Sequence, residues 1–473
     1  MKHPINEALI KIVGVFAYEH KKHIPQFLSG QYETMDLVDL PQIILDKGRI
    51  ARQAALDGTR ANYKNTYYAE FRDFMFTGKN IKDIDGFQKA QIRSFQRKKN
   101  LQSSFHFRRF DIETKQMQAV SLPLISHTQE IYLFPGGIGI FSLNLQPDEK
   151  TLEHISDLIN QARSFESKVG DVQKAIDFHK WVSEEVLCGI PLVGIKLELD
   201  EYSGSKFKVY SVIDMPAVSE ALQYNREHLL YEIGTSSPIG VVANTHRMQP
   251  AESYYDELLQ NKISAFRNYD CLALLDSFTV IGTGNYAALN DNSESYIPHH
   301  LWNRAYFGIY VYNLFLRYSL FKFNAQFLSN PVKYRDQFQD FLNHYDLKHI
   351  SFNFLPNMIF EGTRKAMRID EEIETFEKRL GNLATSIQEQ QEKRQAFLLT
   401  LISVISAFDA IDSIWAGVKQ VQTTLGWSNL IYYPVLLVLL ITIGYFLLQY
   451  LFPLIAQKLK RKLRKIVRKQ VNQ

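Results

Sequence analysis

The chain has 473 residues, of which 46% are hydrophobic and 22% charged, the balance of a folded protein and not of a disordered one. Its formal net charge is +4. Eight basic residues crowd the stretch after Gln457, so the remainder is neutral to slightly acidic and carries no overall nucleic-acid footprint. The two cysteines, Cys188 and Cys271, form no CxxC pair, which excludes a disulfide framework and suits reduced core residues of a cytoplasmic domain.

Residues 1–104 read as a mainly helical region. Ile5–Phe16 and Leu40–Leu56 carry apolar residues at helical spacing, and Arg93–Lys99 reads as a solvated basic helix end. Glu7 falls where the apolar part of a leader would lie and no small-residue cleavage site follows, so no signal peptide is expected. Residues 105–298 read as an α/β domain with a mixed or antiparallel sheet. Phe105–Ile112 and Gln118–Leu124 alternate, and two β-rich runs flank Pro135-Gly136-Gly137, which predicts a hairpin. Helices are expected from Asp148 or Thr151 to about Phe165, over Gln173–Leu187 and over Ser253–Gln260. Ile195–Leu199 and Phe207–Ile213 read as a strand pair, and Cys271–Ile281 as one core strand.

Residues 299–395 read as a helical bundle and stalk. Leu301–Phe327 is dense in Tyr, Phe and Leu, yet Arg304, Arg317 and Lys322 point to an amphipathic helix packed in a bundle. A helix over Val332–His344 and a less regular stretch through Phe352–Pro356 follow. From Ile369 the apolar positions Ile369, Ile373, Phe376, Leu380, Leu383 and Ile387 step by four and three, a heptad seam that wants a partner along its length.

Residues 396–457 read as two membrane spans with a short link, Lys419–Asn429. The first, Ala396–Val418, is interrupted by Asp409 and Asp412; a buried or interfacial helix is its alternative. The second, Leu430–Gln457, has no charge across 28 residues, or about 42 Å of helix against the roughly 30 Å of a bilayer core. The basic tail, 458–473, places both termini in the cytoplasm of a multi-pass inner-membrane protein, with lipid headgroups and not nucleic acid as its partners.

Motifs for catalysis are missing: there is no Walker sequence, GxSxG, HExxH or zinc spacing, so the chain reads as a non-enzyme. His20, His23, His299 and His300 are isolated pairs. The polar loop Gly234–Gly240 offers Thr235 and Ser236, with Asn244, His246 and Arg247 just after, as a weak phosphate or nucleotide site; an ordinary turn is its alternative. On the first span, Ser406, Asp409, Ser413 and Gln420 share an arc of about 60° at ~100° per residue, with Asp412 beyond its edge. In an oligomer that stripe lines a pore attractive to cations; the alternative is that the aspartates lie beyond the bilayer edge.

The heptad stalk, Lys393-Arg394-Gln395 leading into Leu398–Ser403, two spans, a basic tail and an α/β domain ahead resemble, in that order, the CorA family of divalent-cation transporters. The resemblance implies a CorA-like fold, with an α/β cytoplasmic domain, a long helical stalk and a two-helix transmembrane hairpin. It further implies a homo-oligomer, a pentamer, with magnesium as a candidate cation. The family's Gly-Met-Asn motif is absent; Gly426 and Asn429 stand in the pore-mouth loop at different spacing. Relatives without that motif include membrane effectors encoded beside type III CRISPR systems, switched by a nucleotide second messenger such as a conjugate of S-adenosylmethionine and AMP. The implied function is a ligand-gated cation channel, with a housekeeping divalent-cation transporter or a non-conducting membrane scaffold as alternatives.

Overall fold

The computed structural model describes residues 3–29, 32–34, 57, 60–76, 92–97, 99–111, 116–192, 206–216, 226–242, 249–283, 301–327, 331–425 and 438. It divides into two compact units, Met1–Asn382 and Leu383–Gln473.

The first unit opens with β1 (Glu7–Ala17) and α1 (His20–Leu28), followed by the short β2 (Glu33–Thr34) and α2 (Ala69–Met75). Then come β3 (Arg93–Arg97), β4 (Leu101–Asp111), β5 (Gln116–Phe134) and β6 (Ile138–Gln146). The β5–β6 turn is the Pro-Gly-Gly hairpin, and Gly136 and Gly137 sit at φ of 81° and 80°, where a side chain would be strained. The 19-residue β5 carries Pro123 in its first half, where its pairing partner is β4; β6 joins only from Ile125 onward. A residue without an N–H is tolerated on that unpaired side.

Helix α3 (Leu152–Arg163) starts at Thr151, whose hydroxyl accepts from the His154 amide at 3.3 Å, an N-cap of the usual kind. It is followed by β7 (Lys168–Val169), β8 (Ile176–Asp177), α4 (Phe178–Glu185), β9 (Lys208–Met215), α5 (Arg226–Thr235) and α6 (Glu252–Leu259). The last strands are β10 (Lys262–Phe266), β11 (Tyr269–Ala273) and β12 (Ser277–Thr283). All join one sheet in the order β10-β11-β12-β9-β1-β6-β5-β4-β7-β8, with β3 also on β5 and β2 on β3. Every pairing is antiparallel except β12 with β9. Across β1 and β6, Gly14 faces Phe141 and Phe16 faces Gly139, and each ring lies where the opposite glycine lacks a side chain.

Helices cover both faces of the sheet. On one face Ile10, Ile12, Ile131, Phe141, Leu143 and Ile213 pack with α3, α4 and α5 in a single core. The other face is covered by α7 (Tyr306–Phe327), entered through one π-turn at Leu301–Ala305. Phe307 of α7 meets Tyr132 and Tyr210 edge-on at 6.1 and 5.0 Å, and Phe315 stacks on Phe134 at 4.4 Å. Then come α8 (Pro331–Tyr345), α9 (Phe354–Ala366) and α10 (Ile369–Leu425). The first unit's share of α10 contributes Phe376, whose ring lies 4.2 Å from Phe338 and 5.1 Å from Phe327.

Several expectations are corrected. Among the described residues no helix is long and apolar enough to cross a membrane. The expected first span lies inside α10, and its uncharged run from Ala396 ends at Phe408, about 20 Å of helix, before Asp409 and Asp412. The two-span hairpin, the CorA-like fold class, the membrane-channel reading and the inner-membrane placement are therefore withdrawn. Leu430–Gln457 and the basic tail lie outside the described residues, apart from Val438. The expected link is helical from Lys419 to Leu425.

Within the first unit, Ile5–Phe16 is the central strand β1 and not a helix. Both its faces are covered, so burial erases the alternation that marks a half-buried strand. Arg93–Arg97 is likewise a strand. Cys271–Ile281 is two antiparallel strands joined by a turn at Leu274–Asp276, and Phe354–Ala366 is a regular helix. Helix α7 is buried on nearly every side from Tyr306 to Phe321 and is not amphipathic. Leu40–Leu56 and Ile195–Leu199 lie outside the described residues.

Candidate functional site

Three places in the molecule concentrate chemistry. The first is buried beneath the start of α7. Lys11 of β1 donates to Glu130 of β5 at 2.9 and 3.1 Å and to the Asn303 carbonyl at 3.0 Å, with its ammonium 4.0 Å from the Phe307 ring centre. Arg304 closes on the same carboxylate and reaches Gln96 at 3.0 Å. The Tyr132 hydroxyl donates to Glu130 at 3.2 Å. Two cations thus share one carboxylate in an interior where an unpaired charge is costly, so Glu130 holds the cluster together. No local pattern announces this group, because its members are drawn from the chain between positions 11 and 304.

The second place is a cleft of about 910 Å³ among α7, α8 and the β5–β6 turn. Phe315, Ser319, Lys322, Phe323 and Gln326 of α7 follow helical spacing onto its wall, and Tyr334, Gln337, Phe341 and Tyr345 of α8 do the same opposite. Its aromatic rings are ordered edge to face: Phe315 meets Tyr345 at 5.4 Å and 89° and Phe341 at 5.9 Å and 64°. Lys322 donates to the Gly136 carbonyl, tying the turn to α7, and burial lowers its pKa from the ordinary lysine value. Asp340 and His344 stand exposed on the opposite rim. The turn was legible in the sequence; the cleft was not, because Lys322 read as a solvated residue of an amphipathic helix.

The third place is the second unit's part of α10. Phe397, Leu401, Val404, Phe408, Ile411 and Trp415 continue the four–three stepping of a heptad seam. Phe397 is 43%, Leu401 47% and Phe408 51% exposed, and Leu398, Ile402 and Ile405 beside them are also exposed. Counted at ~100° per residue, the apolar arc from Val404 to Ile402 is about 160° wide. Ser406, Asp409, Asp412, Ser413 and Gln420, expected to line a pore, are exposed residues of the same helix. Ser406 lies opposite Phe397 by that count, and both Asp409 and Asp412 fall inside the extension of the apolar arc. The Ser413 hydroxyl donates to the Asp409 carbonyl at 2.9 Å, as Thr400 and Ser403 do to Ala396 and Leu399 at 2.7 and 2.8 Å.

The polar loop expected to take a phosphate is partly described. Thr235 ends α5, and Ser236 follows in the left-handed region at φ 57°. Both serve internal contacts. Arg163 donates to the Thr235 carbonyl at 3.0 Å and to the Ser236 hydroxyl at 3.2 Å, while the Thr235 hydroxyl donates to the Tyr231 carbonyl at 2.8 Å. Arg163 also pairs with Asp276 at 3.2 Å, and Lys208 pairs with the same carboxylate. Burial pushes the Asp276 carboxyl up, but the Lys208 ammonium and the Arg163 guanidinium outweigh it and hold the group below the usual range. Glu232 accepts from the Gly240 and Val242 amides at 2.9 Å each and pins the loop; burial nonetheless raises its pKa. Asn244, His246, Arg247, Gly426 and Asn429 lie outside the described residues, as do His299 and His300.

Among the described residues no group of three or more His, Cys, Asp or Glu side chains is placed to hold a metal ion. His23 accepts from the Glu19 amide at 2.9 Å, a structural use. No protein-family model, curated protein or solved structure matches this chain.

Proposed function

We propose that the protein is a self-assembling scaffold, in which α10 joins copies of the chain into a helical bundle and each copy contributes one sheet unit. The observation that carries this reading is the seam Phe397–Leu401–Val404–Phe408, in which Phe397, Leu401 and Phe408 are exposed and Val404 is half-buried. Apolar residues at four–three spacing over successive heptads are complementary to their own kind in a neighbouring helix, which supplies knobs for holes at the same positions. A second copy of the same chain meets that demand without a further component. The breadth of the apolar arc favours more than two helices, since a two-stranded seam needs only a narrow stripe.

The seam divides in a way that supports the reading. Its first turns, Ile369 and Phe376, are fully buried in the sheet unit, whereas Phe397, Leu401 and Phe408 further along are exposed in the single chain. Among the buried charges of the described residues, Lys11, Glu130 and Arg304 are spent on one another, and Glu232 accepts from the Gly240 and Val242 amides. Co-expression of two full-length chains carrying different tags tests the proposal. Each tag should recover the other, and Leu401→Glu with Phe408→Glu should abolish recovery while leaving the yield of the sheet unit unchanged. Independent recovery of wild-type chains would contradict it.

A further inference from the structure

We infer that the cleft among α7, α8 and the β5–β6 turn binds a free aromatic amino acid. This goes beyond assembly, since every residue it needs belongs to the sheet unit. The cleft joins an aromatic floor to two side chains of opposite charge on facing helices. Phe315 and Phe341 are buried at its base with Tyr345 beside them, and their edge-to-face order offers an entering ring the same geometry. Lys322 projects from α7 and Asp340 from α8. A ligand that uses both charges and the floor carries one carboxylate, one ammonium and one ring.

Lys322 suits the carboxylate. Its ammonium has three donors, of which the Gly136 carbonyl takes one. Burial disfavours its charge, and an incoming anion relieves that cost. Asp340 is exposed at the rim, where an ammonium reaches it without being fully stripped of water. Ser319, buried one helical turn before Lys322, and Gln326, one turn after, add hydrogen-bonding groups to the same wall. A cleft of about 910 Å³ lies within the range of small-molecule sites and takes one amino acid with ordered water.

Calorimetric titration of the full chain with L-tryptophan tests the inference, with tryptamine lacking the carboxylate and indole-3-propionate lacking the ammonium. Tryptophan should bind more tightly than either. Lys322→Met should weaken tryptophan about tenfold and leave tryptamine unchanged. Asp340→Asn, at an exposed position that does not threaten folding, should weaken tryptophan by a smaller factor and leave indole-3-propionate unchanged. Failure of wild-type protein to bind tryptophan, or tryptophan binding that both variants leave intact, would overturn the assignment.

Discussion

Helices α7 and α10 are both rich in large apolar residues, and they meet opposite fates. Between Tyr306 and Phe321 every side chain of α7 is buried, clasped between the sheet and α9 within one unit. Its polar members are drawn into that packing: Asn313 donates to the Phe360 carbonyl at 3.0 Å, and Arg317 to the Leu275 carbonyl at 3.1 Å. On α10, Phe397, Leu398, Leu399, Leu401, Ile402, Ile405 and Phe408 are exposed and Val404 is half-buried, and the aspartates that follow are exposed. Composition does not separate the two stretches; the supply of partners among the described residues does. An apolar helix that finds its partners among the described residues serves the fold; on the proposed reading, the exposed one serves assembly.

The largest effect is expected where the buried side of this comparison carries charge. Glu130→Leu strands Lys11 and Arg304 in the interior and should destabilise the sheet unit by about 3–5 kcal/mol, read as a lowered urea midpoint. A small loss would mean that water reaches the face beneath α7. Phe315→Ala empties a site between Phe134 and Tyr345 and should cost about 3–4 kcal/mol.

Asp276→Asn removes a carboxylate shared by Lys208 and Arg163 and should cost about 1–3 kcal/mol near neutral pH. Because the folded-state pKa of Asp276 is depressed, its contribution is present above the unfolded value of about 3.9 and is lost as pH falls through the folded value. The gap between wild type and Asp276→Asn should therefore be constant above about pH 5 and shrink on acidification; a gap that widens in acid would reverse the sign. The smallest effect belongs to the other helix. Phe408→Ala should change the unfolding free energy of the sheet unit by no more than about 0.5 kcal/mol, because Phe408 belongs to the other unit.

Much of the α/β unit was legible because its signals are local. The Pro-Gly-Gly turn, the alternating strands β4 and β5 and the Thr151 cap each lie within a few residues of their consequence. Misreadings arose where burial removes periodicity. β1 carries Ile10, Ile12, Val13 and Phe16 inside together with Lys11, so it shows no strand alternation, and α7 shows no polar face. Cys271–Ile281 merged because the turn at Leu274–Asp276 contains neither glycine nor proline. The heptad seam was legible from Ile369 onward, but the sequence did not say that Phe376 is used within the unit while Phe408 is left outside it. The cleft and the Lys11–Glu130–Arg304 cluster depend on strand order and helix placement, which no local spacing encodes. Within Ala396–Val418, Asp409 and Asp412 cut the uncharged run to less than a bilayer's thickness.

Sedimentation of the full-length chain across the micromolar range tests self-association most directly. The account predicts a mass several times that of one chain, reduced to a single chain by Leu401→Glu with Phe408→Glu. A wild-type mass of one chain, or a multimer unchanged by that double substitution, would contradict it.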